Sequence, residues 1–215
     1  DFPAMMKSIK PFNNVSASCG VHPLHQDEAC TYEELLTMAK SENIVAIGET
    51  GLDYFYSADT KDVQLTSFVD HIKVANELNK PLIVHTRDAR HDTISLLKEH
   101  KAPHTRGVLH CFTEDWEMAQ AAIELGFYIS ISGIVTFKSA QALQEVVKKI
   151  PLESLLIETD SPWLAPVPYR GKQNQPGYVR EVGEFIAQLK GISVDELAKA
   201  TTHNFYTLFN IPRTA

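Results

Sequence analysis

A chain of 215 residues, 44% hydrophobic and 22% charged, has the composition of an ordinary soluble globular protein with room for one sizeable domain. Its net charge of −7 argues against a broad basic surface for nucleic acid, though not against a nuclease whose bound metal ions bring the positive charge. Three cysteines, Cys19, Cys30 and Cys111, form no CxxC pair and argue against a disulfide framework or a zinc knuckle. No apolar run approaches the roughly 18 residues that cross a membrane. The first ten residues, DFPAMMKSIK, lack the apolar core and cleavage pattern of a signal peptide. A reducing cytoplasm is the expected location.

Along the chain, FPAMMKSIKPF reads as a helix, and short β-rich runs then alternate with helical patterns. Strands are expected at VSASCGV (15–21), NIVAIGE (43–49), PLIVHT (81–86), RGVLHCF (106–112), FYISISG (127–133) and LLIETD (155–160). The helix YEELLTMAKS (32–41) opens on Thr31 with Glu34 three residues on, a capping box. Residues 61–79 put Val63, Phe68, Ile72, Ala75 and Leu78 on one stripe. Further helices are expected at 92–100, 116–126, 139–150, 179–191 and 193–209, the last capped by Ser193. Each parallel strand needs a crossover to return, so this alternation implies an α/β fold around a parallel sheet, in a single domain over 1–215. The longest irregular stretch, Ser161 to Gly177, carries four prolines and two glycines and has the character of a functional loop.

Potential metal ligands fall near the ends of the apolar runs: Glu49, His85, His110 and Asp160. A barrel of parallel strands gathers such ends on one face. Two imidazoles with carboxylates suit a divalent ion such as zinc or manganese. A lone His is most often a hydrogen-bonded core residue and a lone carboxylate most often a helix cap. Four ligand-type residues at the same end of four strands are not explained by capping alone. Glu158, two residues before Asp160 on the same strand, is expected one layer deeper, orienting a neighbour. His22, in GVHP, fits either a turn or a supporting role. Arg87 could hold a phosphate oxygen or pair with Asp88. Tyr54, Phe55 and Tyr56 could stack on a base or pack in the core. His25, His71, His91, His100, His104 and His203 show no strand-end pattern.

AIGETGLDYFY, LIVHTRDA, GVLHCFT, YISISGIVTF and LLIETDSPWLAPVPYRGKQNQPGYV, in this order, resemble the TatD-type metal-dependent hydrolases, and TTHNFYTLF resembles that family's last helix. The resemblance implies a TIM-type (β/α)₈ barrel related to amidohydrolases. It also implies one to three divalent ions (Mg²⁺, Mn²⁺ or Zn²⁺, two expected in a complete chain) and hydrolysis of phosphodiester bonds, with several members being 3′-to-5′ exonucleases on single-stranded DNA. By position, Glu49 resembles the bridging carboxylate, His85 and His110 the ligands of the second metal, and Asp160 the carboxylate beside the attacking water. Glu49 and Asp160 are thus the expected catalytic groups. Arg87, Tyr54 and Arg170 are the expected substrate contacts, with Glu158 and His22 in support. A monomer with no membrane partner is expected.

The family's opening strand carries a His-x-His pair, and no HxH occurs in these 215 residues. Six strands, where a closed barrel needs eight, lead to the expectation that two βα units, about 50 residues, are missing ahead of Asp1. FPAMMKSIKPF would then follow the second strand. A chain without them is expected to bind at most the second metal and to have little activity. Two alternatives stay open: a related barrel hydrolase acting on an amide, ester or phosphotriester, and an inactive barrel remnant kept as an interaction surface. Glu49, in place of a carbamylated lysine, favours the nuclease type.

Overall fold

The computed structural model describes residues 2–28 and 30–212. The chain divides into two compact units, residues 1–107 with 208–215, and residues 108–207. In both units parallel strands follow one another in sequence order, with helices between them. Among the described residues no helix is long and apolar enough to cross a membrane.

The first unit runs α1 (Phe2–Ile9), β1 (Ala17–Cys19), α2 (Tyr32–Ala39), β2 (Ile44–Asp53), α3 (Lys61–Leu78), β3 (Leu82–Arg87) and α4 (Arg90–His100). β1 pairs with β2, and β2 with β3. Ile44, Ile47, Leu52, Leu82 and Val84 on the strands are fully buried, as are Phe68, Ile72 and Leu97 on the helices. Cutting Phe68 to Ala would cost about 3–5 kcal/mol by transfer and cavity. The capping box forms: the Thr31 side chain accepts from the Glu34 N–H, and Glu34 accepts from the Thr31 N–H at 2.8 Å. One member of the α3 stripe is misplaced. Val63 is 49% exposed, while Gln64, His71 and Val74 are buried. Val63 lies five residues before Phe68, about 140° round the helix from it, whereas Gln64, four before Phe68, falls on the buried face.

β2 runs four residues past the end expected from its apolar run. It pairs Ile47 with Leu82 and then Thr50 with Val84, so three steps on β2 match two on β3. This is a bulge at Gly48–Glu49, a device that re-aims a side chain. Beyond it Gly51, at φ 133°, lets the strands close up, since a Cβ there would run into the His85 carbonyl. Glu49 therefore leaves β2 from the bulge rather than from the strand end.

The second unit holds Val108 and Leu109 of β4 (Gly107–Leu109), then α5 (Trp116–Glu124), β5 (Phe127–Ile131), α6 (Gln141–Lys149), β6 (Leu155–Ile157), α7 (Val179–Lys190) and most of α8 (Val194–Phe209). β5 and β6 pair in parallel. Asp115 caps α5 through the Met118 N–H, and Ser193 caps α8 through the Glu196 N–H. Asn204 on α8 donates to the carbonyls of Leu152 and Leu155, tying that helix to the start of β6. Both strands expected to carry ligands stop short of them. β4 ends one residue before His110, and β6 three residues before Asp160. The chain turns at Cys111 (φ 44°) and Asp160 (φ 58°), left-handed positions that a regular strand cannot hold. Residues 158 and 160 are therefore not placed by strand alternation.

Candidate metal centre

In the first unit His22, Glu49 and His85 each offer a ligand atom within 4.8 Å of the others. His85 Nδ1 lies 3.2 Å from Glu49 Oε1, and its Nε2 lies 3.0 Å from Asp53 Oδ2. Asp53 is 1% exposed, and its other oxygen accepts the N–H groups of Phe55 and Tyr56 at 3.0 and 2.8 Å. A carboxylate only accepts, so Asp53 takes a hydrogen bond from the Nε2–H of His85. The lone pair of a neutral His85 then sits on Nδ1 and faces the Glu49 oxygen, acceptor against acceptor. Such a pair is favourable only with positive charge beside it, a proton on the ring or a cation.

The donor set fits a cation. Imidazole nitrogen and carboxylate oxygen bind zinc at about 2.1 Å, which puts neighbouring ligand atoms of a tetrahedron about 3.4 Å apart. The separations from Glu49 Oε1 are 3.2 Å to His85 and 3.4 Å to His22, both longer than an ordinary charge-assisted hydrogen bond. His22 differs in its hydrogen. Its Nδ1 accepts the Leu24 N–H at 3.1 Å, so in the neutral ring Nε2 carries the proton and points a donor at Glu49. A cavity of about 150 Å³ lined by Gly20, Val21, His22, His25 and Glu49 leaves room for several waters. Behind it His71, buried in α3, accepts the Val21 N–H on Nε2 at 2.9 Å and gives its Nδ1 proton to the Ser67 carbonyl at 2.7 Å.

The second unit repeats the pattern on His110. Its Nδ1 lies 2.5 Å from Glu158 Oε2, and its Nε2 lies 3.5 Å from Asp160 Oδ1. Glu158 also accepts the Cys111 N–H through its other oxygen. Here Glu158 takes the ring proton, and the Nε2 lone pair turns to Asp160. Cys111 Sγ meets Ser132 Oγ at 3.1 Å.

The expected substrate contacts fare unequally. The Tyr54 hydroxyl donates to Asp92 at 2.8 Å, and Lys61 reaches the same carboxylate at 2.7 Å. Hydrogen bonds from Lys61 and then Tyr54 hold Asp92 down to about 2, while burial and Asp92 push the Tyr54 phenol well above its ordinary range. Tyr54 is a structural post. Its neighbours Phe55 and Tyr56 are 56% and 62% exposed, with the Arg87 guanidinium over both rings at 4.2 and 4.7 Å. Arg170 stacks on Phe137 at 3.7 Å. Sequence reasoning passed over Asp53, His71, Gln64 and Asn174. Asp53 was legible as a carboxylate four residues after Glu49 in GETGLD. The other three act on backbone groups and left no periodic signal.

The family model described as TatD related DNase matches residues 1–210. A relative in Escherichia coli K12, the uncharacterized metal-dependent hydrolase YcfH, is 57% identical over 199 residues, spanning 93% of this chain and 75% of its own length. The 3′-5′ ssDNA/RNA exonuclease TatD of Escherichia fergusonii is 38% identical over 212 residues, 95% of this chain and 82% of that protein. The crystal structure of YJJV, a TatD homolog from Escherichia coli K12, superposes with a TM-score of 0.90 at 30% identity, covering 97% of this chain and 82% of that one. With the parallel strand–helix alternation, this likeness makes the fold that of an α/β TIM-type barrel.

Proposed function

Because the chain belongs to the TatD related DNase family and is a metal-dependent hydrolase of that family, we propose that it removes nucleotides from the 3′ end of single-stranded DNA by hydrolysing phosphodiester bonds. The observation that carries this reading is the pairing of the His85 Nδ1 lone pair with the Glu49 carboxylate at 3.2 Å, an arrangement that asks for a cation. On this reading Glu49 and His85 of the first unit would hold one divalent ion, and in the second unit His110 Nε2 and Asp160 would offer ligand atoms of their own. Mg²⁺, Mn²⁺ and Zn²⁺ all suit oxygen and imidazole donors, and two ions are expected in a complete site. A divalent ion in such a site lowers the pKa of water and takes up charge developing on phosphate.

The protein's own groups do the rest. Asp53 and Glu158 each bind one ring nitrogen of a histidine and so keep the other nitrogen's lone pair available. Asp160, with no strand around it, presents its carboxylate as the base that accepts the proton of the attacking water. Glu49 would supply the negative charge that holds the cation, with His22 Nε2 at 3.4 Å from that carboxylate. Arg87, across Phe55 and Tyr56, offers a guanidinium to phosphate beside two exposed rings. In a chain of net charge −7 such local cations support a polyanionic substrate.

The test is a 5′-labelled single-stranded oligonucleotide incubated with the protein and Mg²⁺, Mn²⁺ or Zn²⁺. Stepwise shortening from the 3′ end that stops with a chelator is the expected result. Hydrolysis of a small ester or phosphotriester with no shortening of any oligonucleotide would overturn it.

A further inference from the structure

The loop after Asp160 folds into a cleft of about 540 Å³, walled by Phe137, Trp163, Leu164, Arg170, Lys172 and Gln173. Trp163 is 70% exposed, the highest figure among the exposed large hydrophobic side chains of the described residues. An indole left this open, beside two cations in an acidic protein, is a feature the fold itself does not need. The Arg170 guanidinium lies 3.7 Å over the Phe137 ring, so its position is set by the wall rather than by solvent. Lys172 Nζ is 5.9 Å from the centre of the Tyr169 ring, which itself stacks on Tyr178 at 3.9 Å.

The cleft is held open by a rigid frame. Asn174, 3% exposed, donates through Nδ2 to the carbonyls of Thr159 and Trp163 at 2.7 and 2.6 Å, and its own N–H reaches the Pro162 carbonyl at 3.0 Å. Gly133 lets the loop approach, since a Cβ there would meet the Leu164 carbonyl. The Trp163 N–H donates to the Asp160 carbonyl at 2.9 Å, so the indole and the carboxylate are joined through one tight turn.

A flat apolar face and two guanidinium or ammonium groups in one concave site match a nucleotide, which has a π-face at one end and a phosphate at the other. The volume falls within the range of pockets that take molecules of that size. We propose that this cleft takes one nucleotide of the single-stranded substrate, its base stacked on Trp163 and its phosphate held by Arg170 and Lys172. The proposal rests on the nuclease reading and adds to it a subsite on the loop after Asp160.

Binding is measured with the full chain in chelator, so that no cleavage occurs, by titrating a twelve-residue oligothymidylate and following intrinsic tryptophan fluorescence and the anisotropy of an end label. Trp163→Ala is expected to weaken binding roughly ten-fold or more, and Trp163→Phe, which keeps a ring, to recover most of the loss. Arg170→Ala with Lys172→Ala should flatten the salt dependence by about 0.7 per phosphate contact removed. With an abasic oligomer the Trp163→Ala effect should vanish. If Trp163→Ala binds the oligomer as tightly as the parent, the subsite is overturned while 3′ shortening still supports the nuclease. A parent protein that neither binds nor shortens any oligonucleotide overturns both.

Discussion

His85 and His110 stand in two different units yet share one design with the ring nitrogens exchanged. Asp53 holds His85 through Nε2, leaving Nδ1 to face Glu49, whereas Glu158 holds His110 through Nδ1, leaving Nε2 to face Asp160. Each supporting carboxylate also accepts backbone N–H: Asp53 from Phe55 and Tyr56 just after it, and Glu158 from Cys111, the residue after His110. The difference lies in burial: Asp53 is 1% exposed and Glu158 20%. The lesson is that the tautomer of a histidine can be set through either nitrogen, provided the clamp is a fixed acceptor.

The hardest blow to this equivalence falls on the outer carboxylates. Glu49→Gln and Asp160→Asn should each lower kcat/KM for oligonucleotide hydrolysis by more than about 100-fold, beyond the range set by supporting partners. Elemental analysis of the purified variants should show reduced metal content in both. Full metal content with either variant would remove that residue from the ligands.

The clamps come next. Asp53→Asn and Glu158→Gln should each cost about 10–100-fold in metal affinity or activity, because an amide no longer guarantees an acceptor for the ring proton. Equal losses would support the shared design. The two should part in stability, since Asp53 is buried with two backbone N–H groups to satisfy. Asp53→Asn is expected to lower Tm more than Glu158→Gln, by a deficit of about 1–3 kcal/mol. A smaller Tm change in Asp53→Asn would break the argument from burial.

Much of the α/β frame was legible in the sequence because periodicity reports burial, and burial is what the frame is made of. Thr31 with Glu34, and Ser193 with Glu196, announced helix starts because a cap is a local event. Glu49 and Asp160 were visible as acids near strand ends, but not how they get there. A bulge at Gly48–Glu49 and a left-handed turn at Asp160 leave no hydrophobic pattern. Val63 shows the reverse failure: its apolar side chain suggested the stripe, but five residues before Phe68 is off that face of the helix. Gln64, His71 and Asn174 were illegible for one reason. Their partners are backbone groups brought near by the fold, up to 50 residues away for His71 and Val21.

Two of those residues extend the comparison to the loops beyond the histidines, with a smaller expected effect. Gln64 accepts the Asp53 N–H and donates to the Ser57 carbonyl and Thr60 hydroxyl, pinning the loop that carries Phe55 and Tyr56. Asn174 plays the same part for the loop that carries Trp163. Replacing either by Ala strands buried backbone groups and should cost about 1–3 kcal/mol. Limited proteolysis should then cut first in the adjoining loop, at 54–60 in one variant and 161–177 in the other. Cleavage elsewhere would show that the amides do not act locally.

The smallest effect separates the units by pH. Burial pushes His71 down to about 4 from 6.5, and it stays neutral while accepting the Val21 N–H beside His22. Between those two values the unfolded chain carries a proton on His71 that the folded chain does not. Stability is therefore full above about 6.5 and falls as pH drops towards 4. His71→Gln keeps an acceptor for Val21 but removes the titration, so its Tm should lie slightly below the parent at pH 8 and fall less steeply between pH 6.5 and 4. Parallel Tm curves for the two proteins across that interval would show that His71 takes up no proton on unfolding, and the acid sensitivity would then belong to other groups.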